Sequence, residues 1–190
     1  MKSSALLFFI GMFFVANTAN SQNKKTWFDA NWKVVSQDKA SYYRPTPQVK
    51  KSGYWIVDYY LNGKIQKEGF SLTATAADPS FDGLVKYYFE NGKPSQQITF
   101  KNGKIDGVLK TYFLSGTLKS ETYYSEGFRE GRYSSYFETG ELHERGEYLK
   151  NLKEGNWKTY YRNGKIKEKG KYEKGEKIGI WKTYYKNVYK

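Results

Sequence analysis

The sequence predicts an all-β protein: one elongated antiparallel sheet made of repeated β-hairpins. Three observations carry that prediction. Glycines recur at Gly83, Gly107, Gly131, Gly155 and Gly179, each 24 residues after the last, and Gly92, Gly116, Gly140 and Gly164 keep the same step. Fixed self-similarity at a period of about 20 to 50 residues marks a repeat architecture whose single units are not stable alone. Within each period two runs rich in aromatic and β-branched residues flank a turn signal, clearest in residues 155–178, GNWKTYYRNGKIKEKGKYEKGEKI. Asn163-Gly164 there predicts a type I′ hairpin turn, in which both central residues take positive φ. Finally, residue character along each run alternates with the period of two expected of a strand with two unlike faces.

From the N-terminus, Lys2, the apolar run Ala5 to Ala16 and the small residues Ala19 and Ser21 predict a secretory signal peptide over residues 1–21. The run is too short for a bilayer span, and cleavage after Ser21 leaves Gln22 first. An uncleaved anchor is the alternative, disfavoured by Asn17, Thr18 and Asn20. With no cysteine after the apolar run, a bacterial lipid anchor is not expected. The chain is therefore expected to be exported, to the periplasm, the outer surface or the extracellular space.

Residues 22–52 read as an irregular N-terminal cap. Trp27-Phe28 and Trp32 need burial, Val34-Val35 offers a strand start, and Tyr42-Tyr43 resembles the end of a repeat strand before Pro45 and Pro47 stop it. An atypical terminal element covers a sheet end that otherwise templates further pairing. A separate binding head is the alternative.

Residues 53–190 form the array, about six units. The first copy carries Trp55, Tyr59-Tyr60 and Asn62-Gly63 with one extra residue between the Trp and the Tyr pair. Gly63 precedes Gly92 by 29 residues, the excess falling around Leu72 to Phe81. The sixth copy stops at Asn187-Val188, where a turn glycine is expected. An open ladder there allows self-association through the C-terminal edge.

Counting from each opening glycine, alternation sorts the first strand into two faces. Val85, Leu109, Tyr133, Trp157 and Trp181 share a face with Phe89, Phe113, Phe137, Tyr161 and Tyr185, with Tyr87, Thr111, Ser135, Thr159 and Thr183 between them. That face reads as core. The other carries Lys86, Lys110, Ser134, Lys158 and Lys182, then Tyr88, Tyr112, Tyr136, Tyr160 and Tyr184. These tyrosine and lysine rows are the candidate binding face. The second strand keeps Pro94, Leu118, Leu142 and Ile166 after the turn and Phe100, Tyr124, Tyr148 and Tyr172 near its end, with Gly103, Gly127, Asn151 and Gly175 at the return turn. Pro94 removes a ladder donor and predicts a bulged strand start.

The chain is basic, with 32 Lys and Arg against 19 Asp and Glu in 190 residues. The charge is uneven: residues 150–190 hold 13 Lys/Arg against 4 Glu, a net +9, and residues 120–149 hold 3 Arg against 7 Glu, a net −4. Such a surface attracts anionic lipid, acidic glycan or an acidic protein, or serves solubility alone.

Neither a catalytic nor a metal site is predicted, and no cofactor. There is no cysteine and one histidine, His143, in a position that other units fill with Ser95, Lys119 or Lys167, so a solvated side chain is expected. Glu130, Glu138, Glu141, Glu144, Glu147 and Glu154 read as a solvated acidic patch, since a glycosidase pair needs a defined separation across a cleft. The glycines keep the hairpin period with no helix after them, so they serve turns rather than phosphate binding. Lysines interleaved with aromatics suit nucleic acid, which an exported chain rarely meets.

The pattern G-x-W-x-x-Y-Y-x-N-G-K-I at residues 155–166 resembles the MORN-repeat variant common in bacterial proteins, over about residues 53–190. The leader, with Asp29-Ala30-Asn31-Trp32 and Ser41-Tyr42-Tyr43-Arg44, resembles exported MORN-repeat proteins of Bacteroidetes type. The resemblance implies binding rather than catalysis. Many such relatives are labelled antitoxin components of toxin-antitoxin pairs, and others are described as scaffolds or as membrane-associated. The expected function is thus a non-catalytic exported scaffold that binds a protein partner or an anionic envelope component. The alternatives are an antitoxin-like partner that neutralises a toxin, and an envelope enzyme with a site around Asp29, Asp38 and Asp58.

Overall fold

The computed structural model describes residues 24–76 and 78–185. The expected signal peptide and the Asn187-Val188 turn lie outside the described residues. Three short strands come first, β1 (Thr26–Phe28), β2 (Tyr42–Arg44) and β3 (Gln48–Lys50), with a 3₁₀ turn at Gln37–Lys39. Five hairpins follow: β4 (Gly53–Tyr60) with β5 (Ile65–Ser71), β6 (Gly83–Tyr88) with β7 (Pro94–Lys101), β8 (Lys104–Tyr112) with β9 (Leu118–Ser125), β10 (Phe128–Tyr136) with β11 (Leu142–Leu149), and β12 (Leu152–Tyr160) with β13 (Ile166–Glu173). Among the described residues the last strand is β14 (Glu176–Thr183). All lie in one antiparallel sheet, ordered β1-β2-β4 and then in sequence to β14, with β3 also paired to β4. The hairpin array is thus a single-layer sheet in chain order.

The hairpin turns are not the type I′ turns that the sequence predicts. At Asn62-Gly63 the Gly63 amide donates to the Tyr60 carbonyl at 2.9 Å and the Tyr60 amide to the Lys64 carbonyl at 2.9 Å. Only Gly63 has positive φ, at 82°. This is a three-residue loop, a type I turn closed by a left-handed glycine. Asn serves it through its side chain: Asn62, Asn91 and Asn163 Oδ1 accept from the Lys64, Lys93 and Lys165 amides at 3.0, 2.9 and 3.1 Å. The type I′ geometry belongs instead to the return turns between hairpins. There Asn102-Gly103, Glu126-Gly127, Lys150-Asn151 and Lys174-Gly175 all have positive φ at both positions, Asn151 at 72°.

Gly53 and Gly83 open β4 and β6, but the later opening glycines do not open strands. Gly107, Gly131, Gly155 and Gly179 lie inside β8, β10, β12 and β14, beside register shifts against the preceding strand. They are bulge residues, and Gly155 takes φ 66°.

Every hairpin has a second bulge just after its turn. Residues 59, 88, 112, 136 and 160 pair with 65, 94, 118, 142 and 166, and the residues before each pair with 67, 96, 120, 144 and 168. Gln66, Ser95, Lys119, His143 and Lys167 are therefore the extra residues. Pro94 stands beside one of these bulges, but the bulge recurs where there is no proline, so Pro94 is not its cause.

The predicted core column holds from Val85 to Trp157 and is complementary in size across strands, but the predicted core face opens at its C-terminal end, where Tyr185 is 85% exposed. Ile98 pairs with Leu109, Thr122 with Tyr133, and Gly146 and Gly170 lie against Trp157 and Trp181. Small residues on one strand make room for large ones on the next. Val85 is fully buried and Trp157 nearly so. An edge-to-face run, Tyr148–Trp157–Tyr172–Trp181, joins successive hairpins at centroid distances of 5.3, 5.7 and 5.0 Å. In the first hairpin the column residue is Ile56, which pairs with Gly69; Trp55, the residue matched from sequence, points to the opposite face. The apparent insertion arises from that mismatch.

The N-terminal segment covers this end of the core. Phe28 is fully buried, and Trp32 stacks on Tyr42 at 4.8 Å. Val34 makes only an isolated bridge with Phe28. The excess residues between β5 and β6 fold back so that Arg44 donates to the Ala76 carbonyl at 2.9 Å.

Candidate functional site

Across the ladder, the face opposite the tryptophans is read from strand register. Along one row the partners run Glu68, Lys86, Gln97, Lys110 and Glu121, then Ser134 and Arg145, then Lys158, Lys169 and Lys182. The first half mixes signs, and Lys110 approaches Glu121 at 3.7 Å. The last four members are all cations, directly opposed on β11, β12, β13 and β14. None of the four has an ion-pair partner among the described residues.

The structure places the predicted Lys86, Lys110, Lys158 and Lys182 in this row. Lys86, Lys110 and Lys158 are half-buried and Lys182 is exposed. Tyr88, Tyr112, Tyr136 and Tyr160 are half-buried and Tyr184 is exposed. Tyr88 is committed to the fold: its hydroxyl donates to Glu68 at 2.6 Å, and desolvation together with that carboxylate pushes it up to about 12. Farther along, the Arg145 guanidinium lies 5.8 Å from the Tyr160 ring and Lys169 Nζ 5.5 Å from Tyr184.

Arg145 and Lys169 were not found from sequence. Both follow a post-turn bulge, and the extra residue shifts second-strand parity by one. The bulge also sets His143 beside Phe137, ring centroids 4.6 Å apart, with the Ser135 hydroxyl 3.4 Å from Nδ1. His143 is exposed, with no acid placed against it to make it a base.

Two cavities open on this face. One, of about 350 Å³, is lined by Lys158, Lys169 and Lys182 with Gly170 and Gly179, and by the apolar Ile178 and Ile180. The other, of about 570 Å³, is lined by Ser134, Arg145 and Lys158 with Gly146 and Gly155, and Glu147 is the one acid in its wall. Each residue of the second lies 24 positions before its counterpart in the first, so they are one groove element repeated one hairpin apart.

Of the six glutamates expected to be solvated, Glu138, Glu141 and Glu147 are exposed, and Glu130, Glu144 and Glu154 are half-buried. Glu130 and Glu154, with Asp82 and Asp106 in the same column, each accept from the first residue of a return turn. The Asn102 amide donates to Asp82 and that of Glu126 to Asp106, each at 3.2 Å, and the Lys150 amide to Glu130 and that of Lys174 to Glu154, each at 2.9 Å. Glu144 pairs with Lys153 at 2.8 Å, and Glu141 accepts from the Thr139 hydroxyl, which holds its carboxyl below the usual range. The clamp acids were legible as an Asp-Gly or Glu-Gly pair recurring at 82, 106, 130 and 154.

The three aspartates of the enzyme alternative do not form a site. Asp58 is fully buried and holds Arg44 at 2.5 and 3.0 Å and Lys67 at 2.9 Å, leaving no open face for a substrate. Burial pulls Lys67 down, its Nζ 3.9 Å from the Trp32 ring. Asp29 accepts from the Asn31 and Lys33 amides in a local turn, and Asp38 lies exposed in the 3₁₀ turn.

Against known families, the MORN repeat variant matches residues 81–102, 105–126, 129–150 and 153–174. No curated protein matches the chain. Each matched segment begins at a bulge glycine's approach, passes through one hairpin turn and stops inside the next return turn, so the 24-residue step of the match is the step of the sheet. Residues 81–174 are therefore an array of four MORN-type repeats.

Proposed function

We propose that this protein is a non-catalytic, exported interaction scaffold that binds through the face carrying the tyrosine and lysine rows. The observation that carries the reading is periodicity of that face: successive hairpins offer tyrosine columns at a fixed step, half-buried on a sheet, beside a row of lysine and arginine. Tyrosine supplies contact area at low entropic cost and the cations supply attraction. MORN-type repeats support a binding role. Export rests on the N-terminal apolar run, and sequencing of the protein recovered from outside the cytoplasm is expected to begin at Gln22.

The test is retention of a cell-envelope component by the purified protein. Immobilised wild type is expected to hold one component that a Tyr112→Ala, Tyr136→Ala, Tyr160→Ala variant with an intact β spectrum loses. Equal retention by both, or none by either, overturns the reading.

A further inference from the structure

We propose that the cationic row of β11 to β14 is a binding groove for a linear acidic polysaccharide. The proposal rests on the scaffold reading and names its ligand class. Like charges directly opposite one another in a sheet are destabilising. Here Arg145, Lys158, Lys169 and Lys182 stand in that relation across three successive strand pairs. The same row in the earlier hairpins intersperses Glu68 and Glu121. A fold that balances its charges in one half and stacks four cations in the other has a charge deficit that an anionic ligand fills.

Groove shape narrows the ligand. Its floor passes over the backbone of Gly146 and Gly170, whose side-chain positions on the opposite face are filled by Trp157 and Trp181, and over the bulges at Gly155 and Gly179. A recessed channel between strands accepts a single polymer chain, whereas a flat bilayer or a folded protein surface meets the rim. The two groove elements repeat one hairpin apart, about 10 Å for two strand spacings. Acidic groups recurring at that interval along a polymer meet one cation cluster after another. Nucleic acid needs open aromatic faces for its bases, but the rings beside the row, Tyr160 and Tyr184, already lie against Arg145 and Lys169.

The test compares polygalacturonate with neutral dextran, single-stranded DNA, polyglutamate and phosphatidylserine vesicles. The protein is expected to bind polygalacturonate best, with affinity falling as salt rises. Lys158→Glu with Lys182→Glu turns the row into alternating charges, so this variant is expected to melt no lower than wild type and to lose affinity by about tenfold or more. Lys39→Glu with Lys51→Glu makes the same change in net charge at exposed positions far along the chain and is expected to keep binding. Equal loss in both variants, unchanged binding in the first, or tighter binding to DNA, polyglutamate or vesicles overturns the proposal. If no polyanion binds but the tyrosine-dependent envelope component is still retained, the groove assignment fails and the scaffold reading stands.

Discussion

Gly146 lies so close against the indole of Trp157 that a β-carbon at position 146 would sit 2.2 Å from its ring. Trp157 is only 1% exposed and is boxed in by Tyr133, Tyr148 and Tyr172, so the ring has nowhere to move. Gly146→Ala is expected to cost about 1 to 3 kcal/mol through overpacking. Gly170→Ala makes the same clash with Trp181, which is half-buried at the end of the ladder, and is expected to cost less. Urea unfolding of both variants checks the order. Adding Trp157→Leu to Gly146→Ala is expected to recover part of the loss, since the two side chains share one space.

The carboxylate clamps tie each hairpin to its closing return turn. Glu154→Ala leaves the Lys174 amide, in a left-handed backbone with φ 50°, without its acceptor. A loss of about 1 kcal/mol is expected, smaller than for a buried group because water reaches the site. Faster amide exchange at Lys174, with Lys150 unchanged, is the specific readout, because Lys150 is held by Glu130.

Asp58 balances two buried cations. Asp58→Asn strands Arg44 and Lys67 in an interior lined by Phe28, Trp32 and Phe81, and is expected to cost about 3 to 5 kcal/mol. Lys67→Met leaves the Arg44–Asp58 pair intact and fills the same apolar space, so a much smaller change is expected. Thermal melts of the two variants decide between them. Equal losses contradict this account of the N-terminal core.

Tyr87 and Tyr88 are both pushed up to about 12, Tyr87 by burial with Asp58 nearby and Tyr88 by desolvation and Glu68. Both hold their protons in the fold above the ordinary value of 10.0. Their contribution to stability is complete below pH 10.0 and is lost as pH rises toward about 12. Tyrosinate absorbance of the wild type is expected to show a late step that shrinks in Tyr87→Phe and in Tyr88→Phe.

Repeats, hairpins and the core column were legible because they depend on local demands. A left-handed glycine at Gly92 or Gly164 recurs in sequence wherever the turn recurs in space. What depended on pairing across a turn was not. His143 and Lys167 each insert one residue after their turn, so counting by twos put Arg145 and Lys169 on no definite face. Asn163-Gly164 suits either turn type, and only the loop of three residues decides it. Trp55 looked like Trp157, but distance to the turn glycine, not residue likeness, fixes the column, and Ile56 holds it. Glu154 reads as a solvated acid in the sequence because its partner, the Lys174 amide, lies 20 residues on.

The ladder itself is open to direct measurement, since the natural sequence has no cysteine to interfere with labelling. Spin labels at Glu90→Cys paired in turn with Leu114→Cys, Glu138→Cys and Arg162→Cys sit on exposed turn residues one, two and three repeats apart. Dipolar spectroscopy is expected to give distances that grow by about 10 Å per repeat, two strand spacings each, eased by twist. Distances that do not grow with repeat number would contradict a continuous sheet of hairpins in chain order.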